Sequence, residues 1–138
     1  IRTPFIAHWP GVIKPGMTNQ VGHIIVISAT FRDITGAKYP KQIQGKKTKP
    51  PVGKSLLPIF KGKEREPHEE IFWRFNRANA VRQGDLKVVR AGKTWELYDL
   101  KADPTETKNL AKERPKKTSE LSQMWEDWNE ECKIRPNW

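Results

Sequence analysis

The sequence is poor in cysteine, in histidine and in long apolar runs. Cys132 is the only cysteine among the 138 residues, which excludes an intrachain disulfide and a zinc site built on several cysteines. The three histidines, His8, His23 and His68, stand in unrelated local sequences without the short spacing of a metal site. No apolar run approaches the roughly 18 residues of a membrane-spanning helix, so no membrane partner is expected.

Acidic residues are scarce in the first part of the chain. Residues 1–50 carry eight Lys or Arg against one acidic residue, whereas residues 101–138 carry eight of each, and the formal net charge is +10. Such a surface favours sulfate, phosphate, carboxylate or acidic protein partners, and a solvated basic surface without a partner is the simpler alternative. Nucleic acid is not expected, because the aromatic residues fall mainly at core-facing positions and do not alternate with basic residues.

The first half of the chain has the pattern of buried α/β structure. Residues 1–9 (IRTPFIAHW) predict a buried strand that includes His8. Apolar residues at spacings of three and four then predict a helix from Ser28 as its cap to Thr35, with Gly36 as its stop.

Two further segments complete this half. Residues 37–54 hold six lysines and three prolines, which predicts an exposed loop. Residues 55–62 (SLLPIFKG) predict a short helix that is capped by Ser55 and ended by Gly62.

Beyond residue 62 the apolar period changes to two. The stretches IFWRF, AVRQ, LKVVR and WELYDL predict four short strands, and Gly84-Asp85 predicts a two-residue type II′ turn. This turn places Arg82 opposite Lys87 on one face of the sheet. Two like charges in that position require either an intervening carboxylate or a bound anion.

The last segment has helical patterns. In YDLKADPTETKNLA, Asp103 as N-cap, Pro104 and Glu106 form a capping-box pattern that predicts a helix start directly after the sheet. The final stretch predicts a long helix whose apolar stripe packs on the sheet, formed by Leu121, Met124, Trp125, Trp128 and Cys132. The predicted fold class is α+β: a small four-stranded antiparallel sheet packed on a long C-terminal helix, preceded by the end of an α/β domain.

One polar cluster suggests a binding site. The stretch RFNRANAVR gathers guanidinium and amide groups that suit an anionic, hydroxyl-rich ligand, namely those of Arg74, Asn76, Arg77, Asn79 and Arg82. An exposed polar loop is the simpler interpretation. His68 is added to these candidate substrate-binding residues, although a structural role is the simpler interpretation for each histidine.

Five strings, in this order, resemble one family. RTPFIAHWPGVIKPG, ATFRDITG, GKSLLPIFKG, AVRQGDLKVV and WELYDLKADPTETKNLA are similar to the C-terminal part of a type I sulfatase of the arylsulfatase kind. The resemblance implies that residues 1–62 finish the large α/β sulfatase domain and that residues 63–138 form its smaller C-terminal subdomain. Val26, Ala29 and Arg32 depart from the residues usual in the family.

The resemblance also implies which groups this chain lacks. Sulfatases hydrolyse sulfate esters with a formylglycine made from a Cys/Ser-x-Pro-x-Arg motif and with a calcium ion. The motif is absent here, so no catalytic or metal-binding residue is assigned. The missing groups are expected upstream of Ile1, and a chain without nucleophile and metal is expected to be inactive alone.

The expected role is therefore that of a sulfatase fragment. It would supply scaffold and, through residues 74–82, part of the rim that meets a sulfated small molecule or glycan. The resemblance implies a periplasmic or extracellular location. The alternative is a stand-alone basic module that binds sulfated or acidic glycans. Self-association through an exposed sheet edge is also expected.

Overall fold

The computed structural model describes residues 3–132, and the chain divides into two compact units, one ending at His68 and one beginning at Glu69. The boundary predicted after residue 62 falls within the first unit. In chain order, the first unit contains α1 (Ile25–Thr35), β1 (Gln42–Ile43), β2 (Lys46–Lys47) and α2 (Leu57–Phe60). The second contains β3 (Glu70–Phe75), β4 (Ala78–Gln83), β5 (Leu86–Arg90), β6 (Glu96–Asp99) and α3 (Pro115–Glu131). No described helix is long and apolar enough to cross a membrane.

The segment before α1 is not the buried strand that its composition predicts. Residues 3–9 have no regular secondary structure, His8 is exposed, and the exposed fractions of Phe5 and Ile6 are 62% and 90%. A strand needs a neighbour for its backbone hydrogen bonds, and no described strand pairs with residues 3–9. The prediction of a buried strand with a buried His8 is therefore wrong for this part of the chain.

Helix α1 begins one turn earlier than predicted. Ile24 is its N-cap and makes no side-chain capping bond, so Ser28 lies inside the helix and the prediction of Ser28 as cap is wrong. The His23 carbonyl already accepts a hydrogen bond from the Val26 amide at 3.0 Å, which starts helical structure ahead of Ser28. Gly36 ends the helix with φ 71°, as predicted.

The segment that leads into α2 approaches the backbone of α1 closely. A Cβ atom on Gly53 would lie 2.1 Å from the Ile25 carbonyl oxygen, so only glycine fits there. The Leu56 amide donates to Thr30 Oγ1 at 2.9 Å. Leu56 is the N-cap of α2 and makes no side-chain capping bond, so the prediction of Ser55 as the cap is wrong, although Ser55 Oγ accepts a hydrogen bond from the Leu57 amide at 3.0 Å. Gly62 follows the C-cap Lys61 with φ 72°, which agrees with the predicted end of the helix.

The second unit contains the predicted four-stranded sheet. Its strands are antiparallel in the order β3-β4-β5-β6. The predicted register is confirmed, with Val81 opposite Val88 and Arg82 opposite Lys87. In the turn between β4 and β5 only Gly84 has a positive φ, of 58°, as a type II′ turn requires.

Helix α3 covers one face of the sheet and forms the core with it. The fully buried side chains are Val81, Val88, Leu97 and Leu121. Trp125 is 3% exposed and donates from Nε1 to the Trp73 carbonyl at 3.0 Å. Met124 and Trp128 pack against this core, which confirms the predicted apolar stripe, and the half-buried Cys132 follows the end of the helix.

The connection from β6 to α3 differs from its prediction. Residues 104–114 form turns and irregular structure, and the helix begins only at Pro115. The Asp103 carboxylate accepts from the backbone amides of Thr107 and Lys108, both at 2.7 Å, so it closes a loop instead of capping a helix. The predicted capping box is wrong because Glu106 has φ 59° and its carboxylate is bonded to a distant lysine.

Candidate functional site

The turn between β3 and β4 presents guanidinium and amide groups to solvent. Asn76 and Arg77 form its tip between the paired residues Phe75 and Ala78, and Asn76 has φ 53°. Arg74, Asn76 and Arg77 are all exposed, and Phe75 is 76% exposed. We call residues 74–77 the arginine tip. It presents two guanidinium groups and one amide to solvent, whereas the exposed ring of Phe75 lies on the face of the sheet opposite to Arg74.

Arg74 is the first of three polar residues that lie side by side on neighbouring strands, on the face of the sheet that α3 covers. It lies opposite Asn79, and Asn79 lies opposite Arg90. Arg74 Nη1 donates to Asn129 Oδ1 on α3 at 2.7 Å, so the side chain of Arg74 is bonded to the helix that covers the sheet.

Arg90, the third of these residues, already has an acidic partner and an aromatic contact. Its Nη2 lies 3.1 Å from Glu126 Oε1, and its guanidinium carbon lies 4.5 Å from the centre of the Trp95 ring. Arg90 therefore has a structural role in joining the sheet to α3.

Arg82 does not join the arginine tip. It lies three residues beyond Asn79 on β4, about 10 Å along the strand, and on the opposite face of the sheet. Its Nε donates to the Gly84 carbonyl at 2.7 Å, and its Nη2 lies 3.8 Å from Asp85 Oδ1. The structure thus brings together Arg74, Asn76, Arg77 and Asn79 of the predicted cluster and separates Arg82 from them.

The like charges of Arg82 and Lys87 are resolved by carboxylates. Lys87 is only 4% exposed, and its Nζ lies 2.7 and 2.8 Å from the two oxygens of Glu106. Asp85 lies near Arg82. Of the two outcomes that the sequence left open, the intervening carboxylate is the observed one. The pairing of two like charges indicated that a carboxylate was needed, but it did not indicate where in the sequence that carboxylate lies.

His68 lies in the first unit, within a cluster of basic groups. Its Nε2 is buried and has no hydrogen-bond partner within residues 3–132. Burial lowers the pKa of His68 below its ordinary value, and the nearby charges of Arg65, Lys54 and His23 lower it further. His68 is therefore neutral at pH 7 and suits a structural role better than anion binding.

Arg65 organises the surroundings of His68 and was not among the predicted residues. It is 9% exposed, and its guanidinium donates to the backbone carbonyls of Lys54, at 3.1 Å, and Val21. Its own amide donates to Gln20 Oε1 at 3.0 Å. Burial also lowers the pKa of Arg65. No short-range sequence pattern indicates this role, because the bonded residues are distant along the chain.

The described residues do not fit the calcium ion that the sulfatase resemblance implies. Within residues 3–132, no three His, Cys, Asp or Glu side chains lie close enough together to hold a metal ion. We therefore assign no metal chemistry to this chain. What its exposed groups offer is recognition of an anion by guanidinium and amide donors.

Nearly the whole chain is similar in sequence to known proteins. Residues 1–133 match the family described as N-sulphoglucosamine sulphohydrolase, C-terminal. An ulvan-active sulfatase of Formosa agariphila is 29% identical over 80% of this chain and 29% of its own length. An N-acetylglucosamine-6-O-sulfatase of Bacteroides thetaiotaomicron is 29% identical over 96% of this chain and 25% of its own length.

A solved structure shares the fold. It is a 6S-sulfatase from the glycosaminoglycan metabolism of Bacteroides thetaiotaomicron, with a TM-score of 0.68, 24% sequence identity, and coverage of 86% of this chain and 27% of that one. The chain thus spans between a quarter and a third of the length of these proteins. It belongs to the N-sulphoglucosamine sulphohydrolase C-terminal family and corresponds to the C-terminal portion of a sulfatase.

Proposed function

We propose that this chain is the scaffold and part of the substrate rim of a sulfatase that acts on a sulfated glycan, and that it does not hydrolyse the ester itself. The observation that carries the proposal is the arginine tip, whose two exposed guanidinium groups stand on a sheet held rigid by α3. A sulfate monoester offers oxygens in the arrangement that a guanidinium fork binds.

The substrate class is supported by the relatives. One is an ulvan-active sulfatase and another an N-acetylglucosamine-6-O-sulfatase. The same proposal places the sulfatase in the periplasm or outside the cell, where polysaccharides are met.

The absence of hydrolysis by the chain alone is directly testable. The pure 138-residue chain is incubated with 4-nitrophenyl sulfate, and release of 4-nitrophenol is followed by absorbance with added calcium. We expect no release above the uncatalysed background, since the sequence lacks the Cys/Ser-x-Pro-x-Arg motif. Turnover that persists through repeated purification would contradict this part of the proposal.

The rim role is tested by residue-resolved binding. A heparin-derived tetrasaccharide is titrated into the ¹⁵N-labelled chain, and the affinity is taken from the amide shifts of residues 74–79. We expect Arg74→Ala and Arg77→Ala each to weaken that affinity roughly threefold to tenfold, in line with one lost charged contact at an exposed site. Arg114→Ala, an exposed arginine outside the tip, is the control and should change it less than about twofold. A titration that leaves the amides of residues 74–79 unshifted would refute the rim role.

A further inference from the structure

A second concentration of positive charge lies in the first unit. Residues 34–63 contain eight lysines and no Asp or Glu. Five of these lysines fall within residues 38–49, which we call the lysine hairpin: Lys38, Lys41, Lys46, Lys47 and Lys49. The field of such a segment attracts anions regardless of their shape.

The lysine hairpin is ordered structure within the loop predicted for residues 37–54. Strands β1 and β2 pair antiparallel, and the turn residues Gln44 and Gly45 have φ of 49° and 76°, as a type I′ turn requires. At its base the Thr48 amide donates to the Lys41 carbonyl at 3.0 Å, and Thr48 Oγ1 donates to the Pro40 carbonyl. A closed hairpin fixes the backbone positions of its lysines before binding, so less backbone entropy is lost when a ligand binds.

The lysines are available to a ligand. All five are exposed, and four of them, Lys38, Lys41, Lys46 and Lys47, form no ion pair with any residue of the range 3–132. Lys46 and Lys47 are successive strand residues and lie on opposite faces of the ribbon. One sulfate therefore does not contact both lysines, whereas a polymer with repeated negative charges has separate sulfates for them.

We propose that the lysine hairpin is a binding surface for a sulfated polysaccharide chain. The choice of a sulfated glycan as the polyanion rests on the proposed function. The positive charges of the hairpin come from lysine alone, since residues 33–64 contain no arginine. The lysine ammonium group is a compact charge without a fixed binding geometry, so it suits sulfates whose positions vary along a polymer.

Nucleic acid fits this surface less well. Tyr39 is the only aromatic residue of the hairpin, and its ring centre lies 5.4 Å from the guanidinium carbon of Arg32. Binding of single-stranded nucleic acid depends on stacking of successive bases on several aromatic side chains, which the hairpin does not offer.

The test compares two variants with equal changes of charge. The hairpin variant carries Lys38→Gln, Lys41→Gln, Lys46→Gln and Lys47→Gln. The control variant carries the same exchange at four exposed lysines of the second unit: Lys93, Lys101, Lys112 and Lys116. Affinity of the full 138-residue chain for a heparin decasaccharide is measured by calorimetry at several NaCl concentrations, and circular dichroism verifies folding.

We expect the hairpin variant to bind heparin at least about tenfold more weakly than the wild-type chain, with a shallower dependence on salt. The control variant should lose less than about threefold. A variant with Lys→Arg at the same four hairpin positions keeps the charge and should stay within about threefold of the wild-type chain. A desulfated decasaccharide should bind much more weakly than heparin.

Three results would overturn the inference: equal losses in the hairpin and control variants, no measurable heparin binding by the wild-type chain, or equally tight binding of a single-stranded DNA of the same charge. The first and third results leave the rim role standing, because it is measured at the amides of residues 74–79, whereas the second would refute the rim role as well. If Arg74→Ala abolishes heparin binding while the hairpin variant retains it, the polysaccharide binds at the arginine tip alone.

Discussion

His68 shows how one buried atom links folding to pH. Its Nε2 has no partner within residues 3–132, and the groups that face it are Arg65, Lys54 and His23, with Glu66 Oε2 3.3 Å from the Lys54 ammonium. A proton on His68 would add a further positive charge to a partly buried cluster of basic groups. The folded chain therefore favours the neutral imidazole.

We predict that the first unit loses stability as the pH falls from 7.5 to 5. Because the pKa of His68 is lowered from 6.5 in the folded state, the unfolded chain binds more protons between the folded pKa and 6.5, so the free energy of unfolding decreases with acid across that window. Hydrogen exchange of the α1 amides in mild urea measures this loss. His68→Gln should reduce the pH dependence, with a remainder from His23, whose pKa burial also lowers. Identical pH dependence in both chains would show that His68 does not contribute.

At the scale of elements, the Lys87–Glu106 pair fixes the loop between β6 and α3 to the sheet. We predict that Glu106→Gln destabilises the second unit by about 3 kcal/mol, because it leaves a buried ammonium without its counter-charge. Lys87→Met should cost much less, and the double variant should be more stable than Glu106→Gln alone. Urea unfolding followed by circular dichroism measures these differences.

The exposed pair of Lys108 and Glu113 provides the control for this prediction. Its nitrogen and oxygen lie 3.3 Å apart, and both side chains are more than half exposed. Glu113→Gln should therefore change the free energy of unfolding by less than about 1 kcal/mol. Equal effects of Glu106→Gln and Glu113→Gln would show that burial of Lys87 does not strengthen its pairing.

The elements predicted correctly from sequence are those decided by near neighbours. Gly84 and Asp85 select the turn, and the turn fixes the register of β4 and β5. The stripe of α3 is likewise local, since Leu121 and Trp125 share a face through helical spacing alone. In both cases the residues that decide the structure lie within a few positions of each other.

The wrong predictions involve partners distant along the chain. Glu106 has a capping-box position, yet Lys87 is its partner, from 19 residues earlier. Of the candidate site residues, Arg82 was grouped with Arg74 by closeness in sequence, but the alternation of strand faces separates them. The buried contacts of Arg65 with Val21 and Gln20 have no sequence signal at all.

At the scale of the whole molecule, apolar side chains of the first unit stand in solvent. The exposed fractions are 71% for Ile24 and 64% for Phe31, which lie on the same side of α1. In the second unit, Phe75 is 76% exposed on the edge strand β3. Two surfaces are therefore available for self-association, the α1 face and the sheet edge.

We predict that the chain self-associates at micromolar concentration in 150 mM NaCl, where its net charge is screened. Sedimentation velocity measures the effect. Ile24→Lys combined with Phe31→Lys should shift the chain toward monomer if the α1 face is responsible, and Phe75→Lys should do so if the sheet edge is. Met17→Lys, at a side chain that is 97% exposed and belongs to neither surface, is the control. A wild-type chain that sediments as a monomer throughout would contradict the prediction.

The packing of α3 on the sheet also gives the second unit an optical signature. The ring centre of Trp125 lies 5.7 Å from that of Trp95 and 6.1 Å from that of Trp128, and the Trp73 carbonyl accepts a hydrogen bond from Trp125 Nε1. Within residues 3–132, the first unit has only Trp9. Intrinsic fluorescence therefore reports mainly on one half of the molecule, whereas far-ultraviolet dichroism reports on both. A difference between the melting temperatures from the two methods therefore measures how independently the two units unfold.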